Sequence, residues 1–344
     1  MHGGGSMKFS GTSAVLRIIM VIVVILMVPS LLAAGGIRET SEYRIAVFIP
    51  GVTAGSPIYE MLAQGVQRAA DEYDHVRANI IEGGTNQGEW ADKIAAIAAQ
   101  GAHDLIVTSN PAMPEIVNEI SQQFPQQKFV VMDGFLEGNP SIYTLRYNQY
   151  QQAYLAGYFA GLVTASSMEQ ANSRLKIGLV AGQEYPDMNR SILPGFTDGA
   201  ADAAGEIEVD FRVVGNWYDA SRGKELARDM INAGADVLLP VAGGANYGVL
   251  EAAIEYGAYV IWYDTSGYSK APGVIIGSTA IAQDESTYHT IVRAIEGDLP
   301  FGQADQAGIS EHAVRFVDDD PLFSEHVPEQ IRSALQERIT QLSQ

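Results

Sequence analysis

Short apolar runs alternate along this chain with longer segments whose apolar residues recur every three or four positions. Residues 43–50 are a β-branched run. Residues 58–73 set Met61, Leu62, Val66, Ala69 and Ala70 on one face. The first pattern is that of a buried strand and the second that of an amphipathic helix. The alternation continues with strands at 76–82, 104–108, 129–132 and 141–146, and helices at 89–100 and 116–124. A helix rich in small and aromatic residues follows at 147–163, and its small residues suit it to close packing at the start of a second lobe. Strands at 176–180, 207–214, 236–241 and 259–263 then alternate with helices at 188–203, 222–232 and 249–256. A strand at 274–277, a helix at 284–296, a strand at 312–317 and a helix at 328–342 complete the chain.

The two halves are built alike. Each has a strand opening on an aspartate, Asp104 or Asp236, and then a strand that ends on another, Asp133 or Asp264. The separations are 29 and 28 residues. Strand–helix repetition of this kind predicts an α/β protein of two doubly wound, Rossmann-like lobes joined by a hinge. Several crossings between lobes are expected, with the strand from Val274 returning to the first. Lobe 1 is then residues 42–146 with 273–298, and lobe 2 is residues 147–272 with 299–344.

Open α/β sheets bind ligands beyond the carboxyl ends of their strands, where Asp133 and Asp264 sit. A turn or helix-cap role is the alternative for such an aspartate. Ser56 and Tyr59 lie where the first such loop enters its helix, so Ser56 is either an N-cap or a ligand contact. Asn110 occupies the next loop. Trp217 lies in another, where an aromatic platform for a flat ring would account for it, with packing on the adjacent helix as the alternative. The glycine loop holding Gly244 and Asn246 lets backbone approach a ligand closely.

Composition narrows the chemistry. The formal charge is −20, which argues against a nucleic-acid partner. There are no cysteines, so disulfides and thiol chemistry are excluded. The first loop is neither G-x-G-x-x-G nor a P-loop, and neither H-E-x-x-H nor G-x-S-x-G occurs, so no metal site and no catalytic constellation is expected. Arg17 precedes an unbroken apolar run at 18–28, which Pro29 ends. That is the pattern of a secretory signal, with an uncleaved anchor as the alternative. Residues 1–41 are therefore expected to be signal or anchor and linker, with Met7 as an alternative start. The site of action is then the periplasm or the outer face of the cytoplasmic membrane.

Several short motifs occur in a telling order: Tyr154-Leu-Ala-Gly157, Lys176-Ile-Gly-Leu-Val-Ala-Gly182, Pro194-Gly-Phe196, Gly223-Lys-Glu-Leu-Ala227, Gly234-Ala-Asp-Val237 and Val241-Ala-Gly-Gly244. In them the chain resembles the basic membrane protein, or PnrA-like, family of ABC-transporter solute-binding proteins. The resemblance implies a type I periplasmic-binding fold, a purine nucleoside ligand, permease and ATPase partners, and a monomer. It gives Asp133 and Asp264 to base and ribose, and Trp217 to ring stacking. Two features depart from the family. Gly55-Ser-Pro-Ile-Tyr59 replaces the family's Asp-Lys-containing loop, with Ile58 or Tyr59 in place of its stacking Phe. The ligand-proximal Lys is absent, and Ile281, Ala282 and Gln283 fill that region, which places Gln283 among the candidate contacts. This pattern resembles the family's riboflavin-binding branch, so an uncharged ring-plus-polyol solute is expected, riboflavin ahead of a purine nucleoside. Riboflavin would be cargo, and no cofactor is expected. The alternatives are a ligand-sensing receptor module and a hydrolase using the two aspartates as an acid–base pair.

Overall fold

The computed structural model describes residues 1–3 and 42–343. The expected signal or anchor lies outside the described residues. From Tyr43 onward the chain runs β1 (Tyr43–Ile49), α1 (Pro57–Asp71), β2 (Val76–Glu82), α2 (Trp90–Ala99), β3 (Leu105–Ser109), α3 (Met113–Gln123), β4 (Lys128–Met132) and β5 (Ile142–Tyr147). It continues with α4 (Gln149–Thr164), β6 (Lys176–Ala181), a π-helical turn (Met188–Ile192) leading into α5 (Leu193–Ala204), β7 (Glu208–Val213), α6 (Ala220–Asn232), β8 (Ala235–Val241), α7 (Asn246–Tyr256) and β9 (Tyr259–Trp262). The last part is β10 (Ile275–Ile281), α8 (Gln283–Glu296), β11 (Ala304–Ala307), β12 (Val314–Phe316), α9 (Pro321–His326) and α10 (Glu329–Leu342).

Two six-stranded sheets result, in the orders β2-β1-β3-β4-β5-β11 and β7-β6-β8-β9-β10-β12. Every pairing is parallel except that of β10 with β12. Strands covered by helices on both faces need apolar side chains on both, and this is why β3 opens on Leu105-Ile-Val107 and β8 continues as Val237-Leu-Leu-Pro-Val241, with both strands buried throughout. The paired aspartates at the strand starts are structural. Asp104 Oδ2 accepts from Arg44 N at 2.8 Å, and Asp236 Oδ2 from Asn172 N at 2.8 Å.

The chain passes between the lobes three times. The first passage is β5 to α4. Helix α4 packs on α5 in the second lobe, as its small residues suggested, because four glycines bring the two backbones together. A Cβ on Gly157 or Gly161 would run into the backbone of Phe196 or Ala200, and one on Gly195 or Gly199 into that of Tyr150 or Tyr154.

The second passage corrects the lobe assignment. The strand from Val274 was expected in lobe 1, yet β10 pairs with β9 in the second sheet. The chain crosses only afterwards, between Ile281 and Gln283, and α8 then packs on α1, where Arg68 meets Glu285 at 2.7 Å. An apolar strand buried on both faces does not encode its neighbour. The third passage also differs from expectation. The strand β11, Ala-Asp-Gln-Ala, pairs with β5 in the first sheet before β12 returns to the second. Residues 299–307 therefore do not all belong to lobe 2. This edge strand is too polar to show in an apolar pattern.

The three passages are bonded to one another. Asn148 N donates to Ala307 O at 2.8 Å, and Ala282 N donates to Ala313 O at 2.9 Å. Closely spaced connections of this kind concentrate bending in a few residues.

Replacing Gly157→Ala should lower stability by about 1–3 kcal/mol, as overpacking against a fixed backbone does. A urea midpoint equal to that of the parent chain would show that α4 and α5 are not held in this close register.

Candidate functional site

Parallel pairing puts all the strand-to-helix loops of a sheet on one edge. At that edge β4 ends and Asp133 follows with φ 53°; β9 ends and Asp264 follows Tyr263 with φ 71°. Aspartate is one of the few residues that tolerates this left-handed region. The same unusual step thus closes the equivalent strand of both lobes.

The two carboxylates are gathered by one turn of helix. In the first turn of α4, Gln149 Nε2 donates to Asp133 Oδ1 at 3.1 Å and Gln152 Nε2 donates to Asp264 Oδ1 at 3.0 Å. Gln152 Nε2 also lies 3.4 Å from Thr279 Oγ1 on β10. The turn itself is anchored. Asn148 Oδ1 caps it by accepting from Gln151 N at 3.1 Å, and Gln151 Oε1 accepts from Ile309 N in the third passage at 3.0 Å. One short segment, itself the end of the first connection, therefore binds a carboxylate from each lobe and the third connection.

Surrounding protein disfavours the ionised form of both acids. Burial, reinforced by the charge of Asp264 and partly offset by Gln149, pushes the Asp133 carboxyl up to about 8. Burial pushes Asp264 up to about 6, against the opposing effect of its bond from Gln152. Both keep some surface open to solvent. Tyr185 and Tyr263 stand close enough to feel both charges, and their hydroxyls are held well above the usual range, chiefly by burial.

Aromatic rings wall this polar centre. Trp217 is half-buried, its ring 5.9 Å from that of Tyr185 at 53°. Its Nε1 donates to Gln183 Oε1 at 3.0 Å. Gly182 makes room for the indole, since a Cβ there would lie 2.6 Å from ring Cε3. Tyr59 OH donates to Pro50 O at 3.0 Å and accepts from Asn110 Nδ2 at 3.2 Å, and Asn110 Oδ1 in turn accepts from Ala112 N at 2.9 Å. Burial raises the Tyr59 hydroxyl, with a smaller contribution from the charge of Asp133.

Of the candidates named from sequence, Asp133, Asp264, Tyr59, Asn110 and Trp217 fall around this centre. Ser56 occupies the N-cap of α1, half-buried, without a side-chain bond to the helix amides. Gly244 is exposed beside the Trp217 loop, where a Cβ would lie 3.4 Å from Trp217 O. Asn246 is turned to structure: its buried Oδ1 accepts from Ala242 N at 2.7 Å. Gln283 differs most from expectation. It is fully buried, with Nε2 donating to Ile58 O at 2.7 Å and Oε1 accepting from Ser109 Oγ at 3.4 Å. Both ends of its amide thus tie α8 to α1 and β3. Gln149, Gln152, Tyr185 and Tyr263 were not identified from sequence. The nearest signal was a pair of amides three residues apart at the start of a helix that changes lobes.

A family model described as Bmp, ABC transporter substrate-binding protein PnrA-like, matches residues 43–343. The CD4+ T-cell-stimulating antigen of Listeria monocytogenes is 22% identical over 268 residues, 73% of this chain and 71% of that protein. The ABC transporter nucleoside-binding protein BmpA of Lactococcus lactis is 26% identical over 156 residues, 45% of this chain and 42% of that protein. An ABC transporter solute-binding protein from Aeropyrum pernix K1 superposes with a TM-score of 0.73 at 22% identity, covering 87% of this chain and 86% of its own. The type I periplasmic-binding fold expected from sequence is thus the fold observed.

The raised carboxyls make stability pH-dependent. An unfolded aspartate loses its proton near 3.8, whereas folded Asp133 keeps it to about 8. Between these values the folded state holds a proton that the unfolded state lacks, so this group's contribution declines as pH rises. Asp133→Asn removes that term and should flatten the fall in thermal midpoint from mildly acidic to mildly alkaline buffer. Equal slopes for variant and parent would show that Asp133 titrates normally.

Proposed function

Because the chain belongs to the PnrA-like family of ABC transporter substrate-binding proteins, we propose that it captures a nucleoside-type solute, a flat ring joined to a polyol, in the cleft between its lobes. The observation that carries this reading is the pair of strand-end carboxylates, one from each lobe, held by one helical turn beside Trp217 and Tyr185. Carboxylates accept hydrogen bonds from ring N–H groups and sugar hydroxyls, and aromatic faces stack on the ring. Each charge-assisted bond contributes about 1.5–3 kcal/mol, and stacking about 0.5–1.5 kcal/mol beyond area burial. With burial of the ring, micromolar or tighter affinity is within reach. Bending at the bonded connections lets the lobes close on the solute.

A purine nucleoside suits the site best. Carboxylates demand donors, and a guanine-type edge offers adjacent N–H groups, whereas the flavin edge flanks a single N–H with two carbonyls. A nucleoside-binding relative points the same way. Riboflavin remains the second reading, because the partly open indole of Trp217 beside Tyr185 offers area for a larger ring system. In either case the solute leaves unchanged. The two carboxylates act as acceptors, and catalysis is not part of the proposal. Delivery would be to a permease driven by an ATPase, with the protein working as a monomer outside the cytoplasmic membrane. The apolar run at 18–28 supports export. Among the described residues no helix is long and apolar enough to cross a membrane.

Calorimetric titration with guanosine, inosine and riboflavin tests the reading. Guanosine or inosine should bind more tightly than riboflavin and be recovered intact. Asp133→Ala and Trp217→Ala should each weaken binding about tenfold or more, as loss of a charge-assisted bond or a stacking face does. Unchanged affinity in both variants would move the site elsewhere, and a hydrolysed nucleoside would restore the acid–base alternative.

A further inference from the structure

The polar centre of the cleft has no positive charge to balance it. Besides burial, Asp133 is acted on by Asp264, Gln149 and Asp187, and Asp264 by Gln152. Among the described residues no lysine, arginine or histidine contributes at either carboxylate. An unpaired carboxylate surrounded by protein is costly, and near neutral pH, where Asp133 keeps its proton, that cost falls on Asp264.

A second feature adds to this. Gln152 is fully buried, with its Nε2 committed to Asp264, and its Oε1 has no hydrogen-bond partner. Gln149 repeats the arrangement, with Nε2 on Asp133 and Oε1 unpartnered. The centre is therefore rich in acceptors, with two carboxyl groups and two unpartnered amide oxygens, and its nearest donors are the hydroxyls of Tyr185 and Tyr263, the latter turned to Gln149 O at 3.5 Å. Around it lie the rings of Tyr185, Tyr263 and Trp217, whose π faces are themselves electron-rich.

Building on the nucleoside reading, we propose that the balancing charge belongs to the ligand, so that the cleft takes its ring-bearing solute in a positively charged form, as in a nucleoside whose purine ring is alkylated on nitrogen. The proton that Asp133 keeps to about 8 leaves Asp264 charged near neutral pH, the two amide oxygens without donors and the aromatic faces without a cation. A cationic ring answers all three demands. Its polarised N–H groups reach the carboxylates and amide oxygens, and its charge lies against aromatic faces. The same centre repels anions, so phosphorylated nucleosides are discriminated against by like charge.

Two matched pairs test this in the full chain: guanosine with 7-methylguanosine, and nicotinamide with 1-methylnicotinamide. Each pair differs by one methyl group and one positive charge. In neutral buffer, where Asp264 is ionised, 7-methylguanosine should bind about tenfold or more tightly than guanosine, the gain a desolvated cation–π contact and a paired charge provide. Asp264→Asn should weaken 7-methylguanosine more than it weakens guanosine, and so shrink that preference. If neither cation outbinds its neutral partner, the charge proposal is overturned, and guanosine binding alone then leaves the nucleoside reading standing. If only 1-methylnicotinamide outbinds its partner and neither nucleoside binds, the charge proposal stands and the nucleoside reading falls.

Discussion

Two acids of like sign brought to one centre, with no lysine, arginine or histidine acting on them among the described residues, set the terms for this structure. Each carboxylate keeps its place because an amide from the first turn of α4 donates to it: Gln149 to Asp133 and Gln152 to Asp264. That turn belongs to a helix of the second lobe, yet it holds an acid of the first. Its position follows from the glycines that let α4 and α5 touch backbone to backbone. It follows also from Asn148 and Gln151, which bond the turn to the third connection. If this one turn moves, both carboxylates lose their donors.

The remainder of the site is arranged to leave ring faces and acceptors for a ligand. Gly182 clears space for Trp217, and the Gly243–Gly244 loop supports its backbone, with Ala245 N donating to Trp217 O at 3.4 Å. Tyr59 and Asn110 spend their polar groups on each other and on the neighbouring backbone, which holds that wall in place. Gln283 does comparable work deeper in the first lobe, pinning α8 to α1 and β3 where the second connection arrives.

Much of the fold was legible in the pattern of apolar residues. The strand at Val76–Glu82 and the final helix through Leu342 lie where that pattern puts them. The repeated aspartates marked equivalent strand ends in both halves, and the structure brings them to one centre. Three things were not legible. The polar β11 carries no apolar signal. The sheet that β10 joins is a matter of long-range pairing. Gln283 and Asn246 read as ligand contacts because they sit near strand-to-helix loops; within the fold Gln283 bonds Ile58 O and Ser109 Oγ, and Asn246 Oδ1 accepts from Ala242 N.

The sequence by itself therefore determined which segments are strands and helices, that the chain is two similar α/β halves, and that Asp133 and Asp264 end equivalent strands. Local apolar period and the left-handed tolerance of aspartate are properties of short stretches, so a linear chain displays them. Only the tertiary structure decided which side chains meet those acids. The first passage between the lobes brings Gln149 to one and Gln152 to the other. An amide has no sequence signature that tells a ligand contact from a structural tie. That distinction depends on which donors and acceptors the fold has already placed within hydrogen-bonding distance.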